Sequence, residues 1–177
     1  VTVASVSRDS SDNRLQEAVD YLMHWCTDNG MRLNIAKTKE MIVHFGRREL
    51  SNAVPMLSIR ASNVERVTTF KLLGVFFSSD LSWSAHISYI LKKSAKRLYV
   101  VYQLVRAGIN MRDIVSVYCS LIRSILEYAC PVWHAGLTVA QSNDLESVQK
   151  RVLRIIFPGM SYNEALMFSG LERLSMR

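Results

Sequence analysis

Residues 68–88 read TTFKLLGVFFSSDLSWSAHIS, and the character of the chain changes halfway through this stretch. The first half is apolar and ends in the turn-forming run SSD, which is typical of a strand. From Ser82 onward the apolar residues recur at helical spacing. The pattern predicts an α+β fold, in which a small antiparallel sheet with one helix precedes an all-α helical bundle. We expect the first part to span residues 1–80 and the second to span residues 81–177.

The first part is predicted to hold one amphipathic helix and several short strands. Ser10, Ser11 or Asp12 caps the helix, which ends at Asn29-Gly30. Its apolar face carries Leu15, Val19, Leu22, Met23 and Cys26. The predicted strands are residues 1–7, 39–45, 56–60 and 70–78, with turn residues between the last three.

The second part is predicted to hold four helices joined by short connections, which favour antiparallel packing. They run over roughly residues 84–107, from after Asn110 to about Ala129, from near Thr138 to before Pro158, and from Ser161 onward. The second of these helices is apolar all round, so we expect it to be the buried centre of the bundle. Arg123 and Glu127 stand four residues apart on it and are expected to form an ion pair.

Composition limits the class of protein and its compartment. The chain has 177 residues and a net charge of +7, which favours an acidic partner such as nucleic acid. The chain has three cysteines, a small and odd number that does not suit a disulfide framework. We therefore expect an intracellular protein of the nucleus or cytoplasm. The sequence suggests no membrane-spanning run and no leader, so no membrane partner is predicted.

The first helix of the bundle is strongly basic on one side. No aspartate or glutamate occurs between Leu81 and Arg112. At 100° per residue, one half of the helix carries Lys92, Lys93, Lys96, Arg97 and Arg106. The other half carries Ile87, Ile90, Leu91, Leu98, Tyr102 and Val105. A solvated face and a phosphate-binding face both explain this segregation, and the missing acidic partners at four-residue spacing favour phosphate.

Motifs for catalysis and metal binding are sparse. His24 with Cys26, and Cys130 with His134, supply too few neighbouring ligands for tetrahedral zinc and are interpreted as core residues. The sequence has no Gly-rich phosphate loop, no G-x-S-x-G elbow and no His-x-Asp pair. We therefore expect this chain to bind no metal or cofactor itself.

Three runs in this order resemble reverse transcriptases of LINE-type (non-LTR) retrotransposons. They are LQEAVDYLMHWCTDNGMRLNIAKTKEM, FKLLGVFFSSDLSWSAHI and LIRSILEYACPVWHAG, and the match covers almost the whole chain. The resemblance implies that residues 1–80 are the end of a polymerase palm and residues 81–177 a thumb. The implied activity is RNA-directed DNA polymerisation, a nucleotidyl transfer whose partners are an RNA template and a DNA primer.

The resemblance also implies roles for particular residues. The family element W-x-x-x-N-G-x-x-x-N-x-x-K-T is matched by Trp25, Asn29, Gly30, Asn34, Lys37 and Thr38. Lys37 would then be the general acid that protonates the leaving pyrophosphate, although a surface lysine before a strand is an equally good interpretation. The Leu73-Gly74 element resembles the primer-gripping hairpin, where glycine permits close approach of the primer, or else marks a bulge in an ordinary strand. The basic helical face would contact phosphates without reading sequence.

One departure from the family pattern limits these expectations. The family's aromatic-x-Asp-Asp turn is expected immediately before Val1 and is absent from this sequence. Those aspartates would hold the magnesium ions of the full enzyme, so this chain alone is expected to be inactive without the upstream palm and fingers. Two alternatives stay open. The helices from His86 to about Trp133 also resemble the N-terminal module of AlkB-type alkylation- and tRNA-repair proteins, and the bundle could serve protein interaction alone.

Overall fold

A computed structural model describes residues 2–6, 13–43 and 54–176. The chain separates into two compact units, Val1–Leu81 and Ser82–Arg177. The first unit contains a helix and small two-stranded sheets, and the second is helical. The predicted fold class, α+β followed by a helical bundle, is confirmed.

The described part of the first unit contains one α-helix, α1 (Arg14–Asp28), which buries Val19 and Cys26. It ends as predicted at Asn29, and Gly30 follows in the left-handed conformation with a φ of 67°. The predicted capping residues Ser10, Ser11 and Asp12 lie outside the described residues. Val19 packs with Ile59 and Val64 in a small core, which Met23, Leu33, Ile35 and Leu57 extend.

Among the described residues of the first unit, the strands form three separate pairs. β1 (Lys39–Glu40) pairs in parallel with β4 (Glu65–Arg66), β2 (Ser58–Ile59) pairs antiparallel with β3 (Ser62–Asn63), and β5 (Thr69–Leu72) pairs antiparallel with β6 (Val75–Ser78). The strands at 39–45 and 56–60 are therefore shorter than predicted, and the end of the former lies outside the described residues.

The prediction of a strand over residues 1–7 is wrong for residues 2–6, the part that the structure describes. These residues adopt no regular strand. The carbonyl of Val6 accepts a hydrogen bond from the Arg14 guanidinium at 2.9 Å, so a side chain occupies a position that a ladder would need. An alternating apolar pattern forms a strand only where another backbone segment pairs with it.

The predicted strand over residues 70–78 is a β-hairpin rather than one strand. Leu72 pairs with Val75, and the chain reverses at Leu73 and Gly74. Both turn residues have positive φ, 47° and 89°, as a two-residue type I′ turn requires. Leu73 adopts this conformation at a cost of about 1–2 kcal/mol. Gly74 therefore lies in the turn of a hairpin and not at a bulge or bend within one strand.

The second unit is organised on the long helix α2 (Ser84–Arg106), which packs mainly against α6 (Val139–Ile156). Between them in the chain lie α3 (Met111–Tyr118), a π-helical turn (Cys119–Arg123), α4 (Ser124–Leu126), α5 (Cys130–Trp133) and a 3-10 turn (His134–Gly136). The helix α7 (Tyr162–Ser169) and a 3-10 turn (Leu174–Met176) complete the unit. Thr138 and Ser161 form capping boxes at the starts of α6 and α7, where the sequence placed them.

The second helix of the bundle ends earlier than predicted. Its regular part stops at Leu126, and Ala129 is left-handed with a φ of 53° before Pro131 enters α5. Its buried residues include Ile114, Tyr118 and Ile122, in keeping with a place inside the bundle.

By length and composition alone, Met111–Gly136 is apolar enough to cross a membrane, with a mean hydropathy of 1.2. This composition contrasts with the expectation that no apolar run reaches this length, but length and composition alone do not show a membrane span. Buried core helices pass the same test, and Tyr118, Ile122 and Leu126 of this segment are buried in the unit.

Candidate nucleic-acid interface

The exposed side of α2 carries a straight row of polar side chains. Lys92, Lys96, Tyr99, Gln103 and Arg106 are all exposed. At 100° per residue they fall within about 80° of the helix circumference. A rise of 1.5 Å per residue gives the row a length of about 21 Å. We refer to these five residues as the α2 row. Lys93 is also exposed and lies beside it.

The opposite side of α2 fixes this orientation. It buries His86, Ile87, Ile90, Ser94, Leu98 and Val101. The predicted apolar half is confirmed for Ile87, Ile90 and Leu98, which are buried, and partly for Leu91 and Val105, which are half-buried. Tyr102 is exposed instead, because its position lies at the edge of the buried face.

Arg97 does not belong to the exposed basic face. Its side chain is half-buried, and Nη1 donates a 2.6 Å hydrogen bond to the backbone carbonyl of Leu121 in the π-helical turn. A carbonyl in a π-helical turn is displaced from the regular ladder and is open to such a donor. Arg97 therefore ties α2 to the neighbouring helix.

The four exposed cations on α2 have no carboxylate partner in the described part of the chain. No ion pair joins Lys92, Lys93, Lys96 or Arg106 to any described residue. Lys93 instead places Nζ 5.8 Å from the centre of the Tyr89 ring, a cation–π contact. The face therefore presents positive charge that is compensated only by solvent and salt.

An aromatic cluster holds the beginning of α2. The His86 ring lies 5.4 Å from the Trp133 ring and 6.4 Å from the Trp83 ring, and both contacts are edge-to-face. Trp83 also covers Gly136, where a Cβ atom would lie 2.5 Å from the indole nitrogen. Burial lowers the pKa of His86, so the imidazole is neutral at pH 7. Trp83 and His86 are thus structural residues, and their contacts set the direction in which α2 leaves the cluster.

A buried polar network holds the other helices. Gln149 is fully buried; its carbonyl oxygen accepts hydrogen bonds from Tyr118 at 2.8 Å and from Arg123 at 3.2 Å. Its amide nitrogen donates to the Tyr162 hydroxyl and to the backbone carbonyl of Glu172, both at 3.0 Å. No sequence pattern predicts this network. These contacts fix the bundle that presents the α2 row.

Two further contacts complete the network. Arg123 pairs with Glu127 at 2.8 Å, as predicted. Tyr162 donates to a carboxylate oxygen of Glu146, and burial together with this bond raises the pKa of Tyr162 to about 12. The tyrosine therefore keeps its proton at neutral pH.

Lys37 lies at the end of a 3-10 turn (Ile35–Lys37) in the first unit. Its backbone N–H donates to the Asn34 side chain at 3.1 Å, and its side chain is exposed. It borders an open, largely apolar cavity of about 550 Å³ that Leu72 and Phe77 of the hairpin also line. Gly74 is not among the lining residues, so the cavity brings Lys37 next to the hairpin strands but not to the turn itself.

Over residues 2–6, 13–43 and 54–176, no three histidine, cysteine, aspartate or glutamate side chains form a group that could hold a metal ion. Neither His24 with Cys26 nor Cys130 with His134 belongs to such a group in these ranges.

Tyr99 and Gln103 are the site residues that sequence reasoning missed. Their signal was present, because they continue the spacing of four, three, four and three residues that begins at Lys92 and ends at Arg106. Comparison with known proteins adds nothing to this geometry: no family model, curated protein or solved structure matches the chain.

Proposed function

We propose that the chain is the downstream part of an RNA-directed DNA polymerase of the LINE type and that α2 binds the template–primer as a thumb helix. The observation that carries the proposal is the exposed face of α2, with Lys92, Lys93, Lys96 and Arg106 and no carboxylate partner among the described residues. The resemblance of the three sequence runs supports the polymerase assignment.

A nucleic-acid backbone fits this face better than an acidic protein surface would. Exposed ion pairs with a protein contribute only about 0–1 kcal/mol each. A polynucleotide also releases condensed counterions when its phosphates are neutralised, which adds an entropic gain that a protein surface lacks. A row of about 21 Å spans roughly six nucleotides of a stacked strand at 3.4 Å each.

The first unit has the role of the palm end in this proposal. The Leu73-Gly74 turn would lie against the primer strand, and Lys37 Nζ would hold the proton that the leaving pyrophosphate takes. Among the described residues, no three histidine, cysteine, aspartate or glutamate side chains form a group that could hold a metal ion. In this proposal the upstream palm would supply the aspartates that hold magnesium.

Charge reversal on α2 tests the proposal. We would measure the anisotropy of a labelled RNA–DNA hybrid with the native chain and with Lys92→Glu, Lys96→Glu and Arg106→Glu combined. The matched control reverses Lys150, Arg151 and Arg154, three exposed cations of α6, and has the same net charge. We expect the α2 variant to lose at least 50-fold in affinity and the α6 variant less than fivefold. Equal losses would show that net charge alone binds the hybrid and would reject the α2 face.

A protein-interaction bundle is the second candidate, because α7 exposes two large apolar side chains. Met167 is 84% exposed and Phe168 is 75% exposed. Phe168 also lines an open groove with Ile109, Met111 and Arg112. Under this function, Phe168→Ser would abolish binding to a protein partner at all salt concentrations and leave hybrid binding unchanged.

A further inference from the structure

Tyr99 occupies the centre of the α2 row and is 67% exposed. Lys92 precedes it by seven residues and Arg106 follows it by seven, so each cation lies about 10 Å away along the helix axis. Lys96 is nearer, about 4.5 Å away on the axis. A large aromatic ring thus stands between cations on a face otherwise suited to phosphates.

The ring of Tyr99 makes no aromatic, cation–π or hydrogen-bond contact with any described residue. Tyr89, on the same helix, differs from Tyr99 because the Nζ atom of Lys93 lies over its ring. None of these contacts with the described residues holds the Tyr99 ring, and its exposed part is available to a ligand.

A phosphate oxygen can accept a hydrogen bond from the tyrosine hydroxyl, but only a nucleobase can stack on the face of the ring. Bases in a duplex are stacked on both faces and cannot reach a side chain beside the backbone. An unpaired base has a free face and can stack on tyrosine, and aromatic side chains among cations are the usual way in which proteins bind single strands.

We propose that the α2 row binds an unpaired segment of polynucleotide, with one base stacked on Tyr99. Phosphates on either side of that base would contact Lys92 and Lys96 in one direction and Arg106 in the other. The charge complementarity of the row selects a polynucleotide over a protein. The inference rests on the proposed function and adds that the preferred ligand carries unpaired bases, such as an overhang beside a hybrid.

The test compares ligands and variants. The ligands are a single-stranded 12-mer, as RNA and as DNA, and a blunt RNA–DNA hybrid of the same length, each titrated by fluorescence anisotropy. The variants are Tyr99→Ala, Tyr99→Phe and the triple charge reversal of Lys92, Lys96 and Arg106. Tyr21→Ala is the matched control, because Tyr21 is 75% exposed on α1 and lies outside the row.

We expect Tyr99→Ala to weaken single-strand binding by about 5- to 150-fold, the range that stacking of one base gives. Tyr99→Phe and Tyr21→Ala should stay within twofold, and the blunt hybrid should be bound equally by all three. A 2-aminopurine placed in the single strand should change its emission on binding to the native chain and not on binding to Tyr99→Ala.

Two outcomes would overturn the inference alone, and a third would overturn the proposed function as well. If Tyr99→Ala weakens neither ligand, or weakens both equally, Tyr99 does not stack on an unpaired base. The proposed function survives either result provided that the triple charge reversal still abolishes binding. If the native chain binds none of the ligands, the proposed function and the inference fail together.

Discussion

Replacing Gln149 with leucine tests whether the buried network holds the bundle together. The substitution removes the carbonyl oxygen that is the hydrogen-bond acceptor for the Tyr118 hydroxyl. Arg123 retains the Glu172 carbonyl, and Tyr162 retains Glu146. One buried hydroxyl is thus left without a partner, at a cost of about 1–3 kcal/mol, and the lost bonds to the other groups add about 1 kcal/mol. We expect Gln149→Leu to lower the free energy of unfolding by about 3 kcal/mol.

A double-mutant cycle with Tyr118→Phe makes this prediction specific. Phenylalanine removes the Tyr118 hydroxyl that Gln149→Leu would leave without an acceptor. The free energy of unfolding of the double variant should therefore be about 1–2 kcal/mol higher than the sum of the two single effects predicts. Urea denaturation followed by circular dichroism measures each variant. Gln103→Leu, the same change on the exposed side of α2, should stay within about 0.5 kcal/mol of the native chain. Additive effects, or a loss below 0.5 kcal/mol for Gln149→Leu, would refute the network as a stabilising element.

Three further predictions follow from the bundle. Gly136→Ala should displace Trp83, because the added Cβ would lie 2.5 Å from its indole nitrogen, and should cost about 1–3 kcal/mol; an unchanged urea midpoint and tryptophan emission would contradict it. Arg97→Gln should lower the free energy of unfolding by about 1.5 kcal/mol and leave hybrid affinity within twofold. Lys96→Gln should leave the free energy of unfolding unchanged and weaken hybrid affinity. Thermal melts and anisotropy on the same samples measure both quantities. Burial lowers the pKa of His86, so on acidification the unfolded chain binds a proton at a higher pH than the folded chain does, and the free energy of unfolding should fall below pH 6.5. His86→Phe should flatten the pH profile of the unfolding midpoint. A profile unchanged by the substitution would disprove the assignment.

The helical part of the fold was predictable because its limits are marked by local chemistry. Thr138 and Ser161 supply capping boxes, and Asn110 accepts from the backbone N–H of Arg112 at the start of α3. Such signals act over three or four residues and do not depend on the rest of the chain. The start of α2 at Ser84 was predicted for a different reason, namely the change of apolar period.

The strands were harder to predict because their limits depend on partners far away in sequence. The hairpin at Leu73-Gly74 was concealed by the continuous apolar run FKLLGVFF, in which leucine takes a backbone conformation normally left to glycine or asparagine. β1 pairs with a strand 26 residues away, and no local pattern indicates that register.

The exposed cations of the candidate interface were predicted from the sequence, but the contacts that orient and support the helix were not. Helical spacing placed Lys92, Lys96 and Arg106 on one face, and the structure exposes all three. The same spacing already placed Arg97 about 140° from Lys92, at the border of the buried face, and its hydrogen bond to a carbonyl of the π-helical turn holds it inward. A buried glutamine such as Gln149 has no sequence signature until its partners are brought around it.

The salt dependence of hybrid binding tests the central claim most directly. Each phosphate neutralised contributes about −0.9 to the slope of log affinity against log salt for a B-form duplex, so three contacts predict a slope of about −2.7 and a loss of roughly 40-fold between 50 and 200 mM salt. Replacing Lys92, Lys96 and Arg106 together with alanine should bring the slope close to zero, whereas replacing the three α6 cations should leave it at about −2.7. A slope that is the same in the native chain and the α2 variant would contradict the claim that this face binds the phosphate backbone.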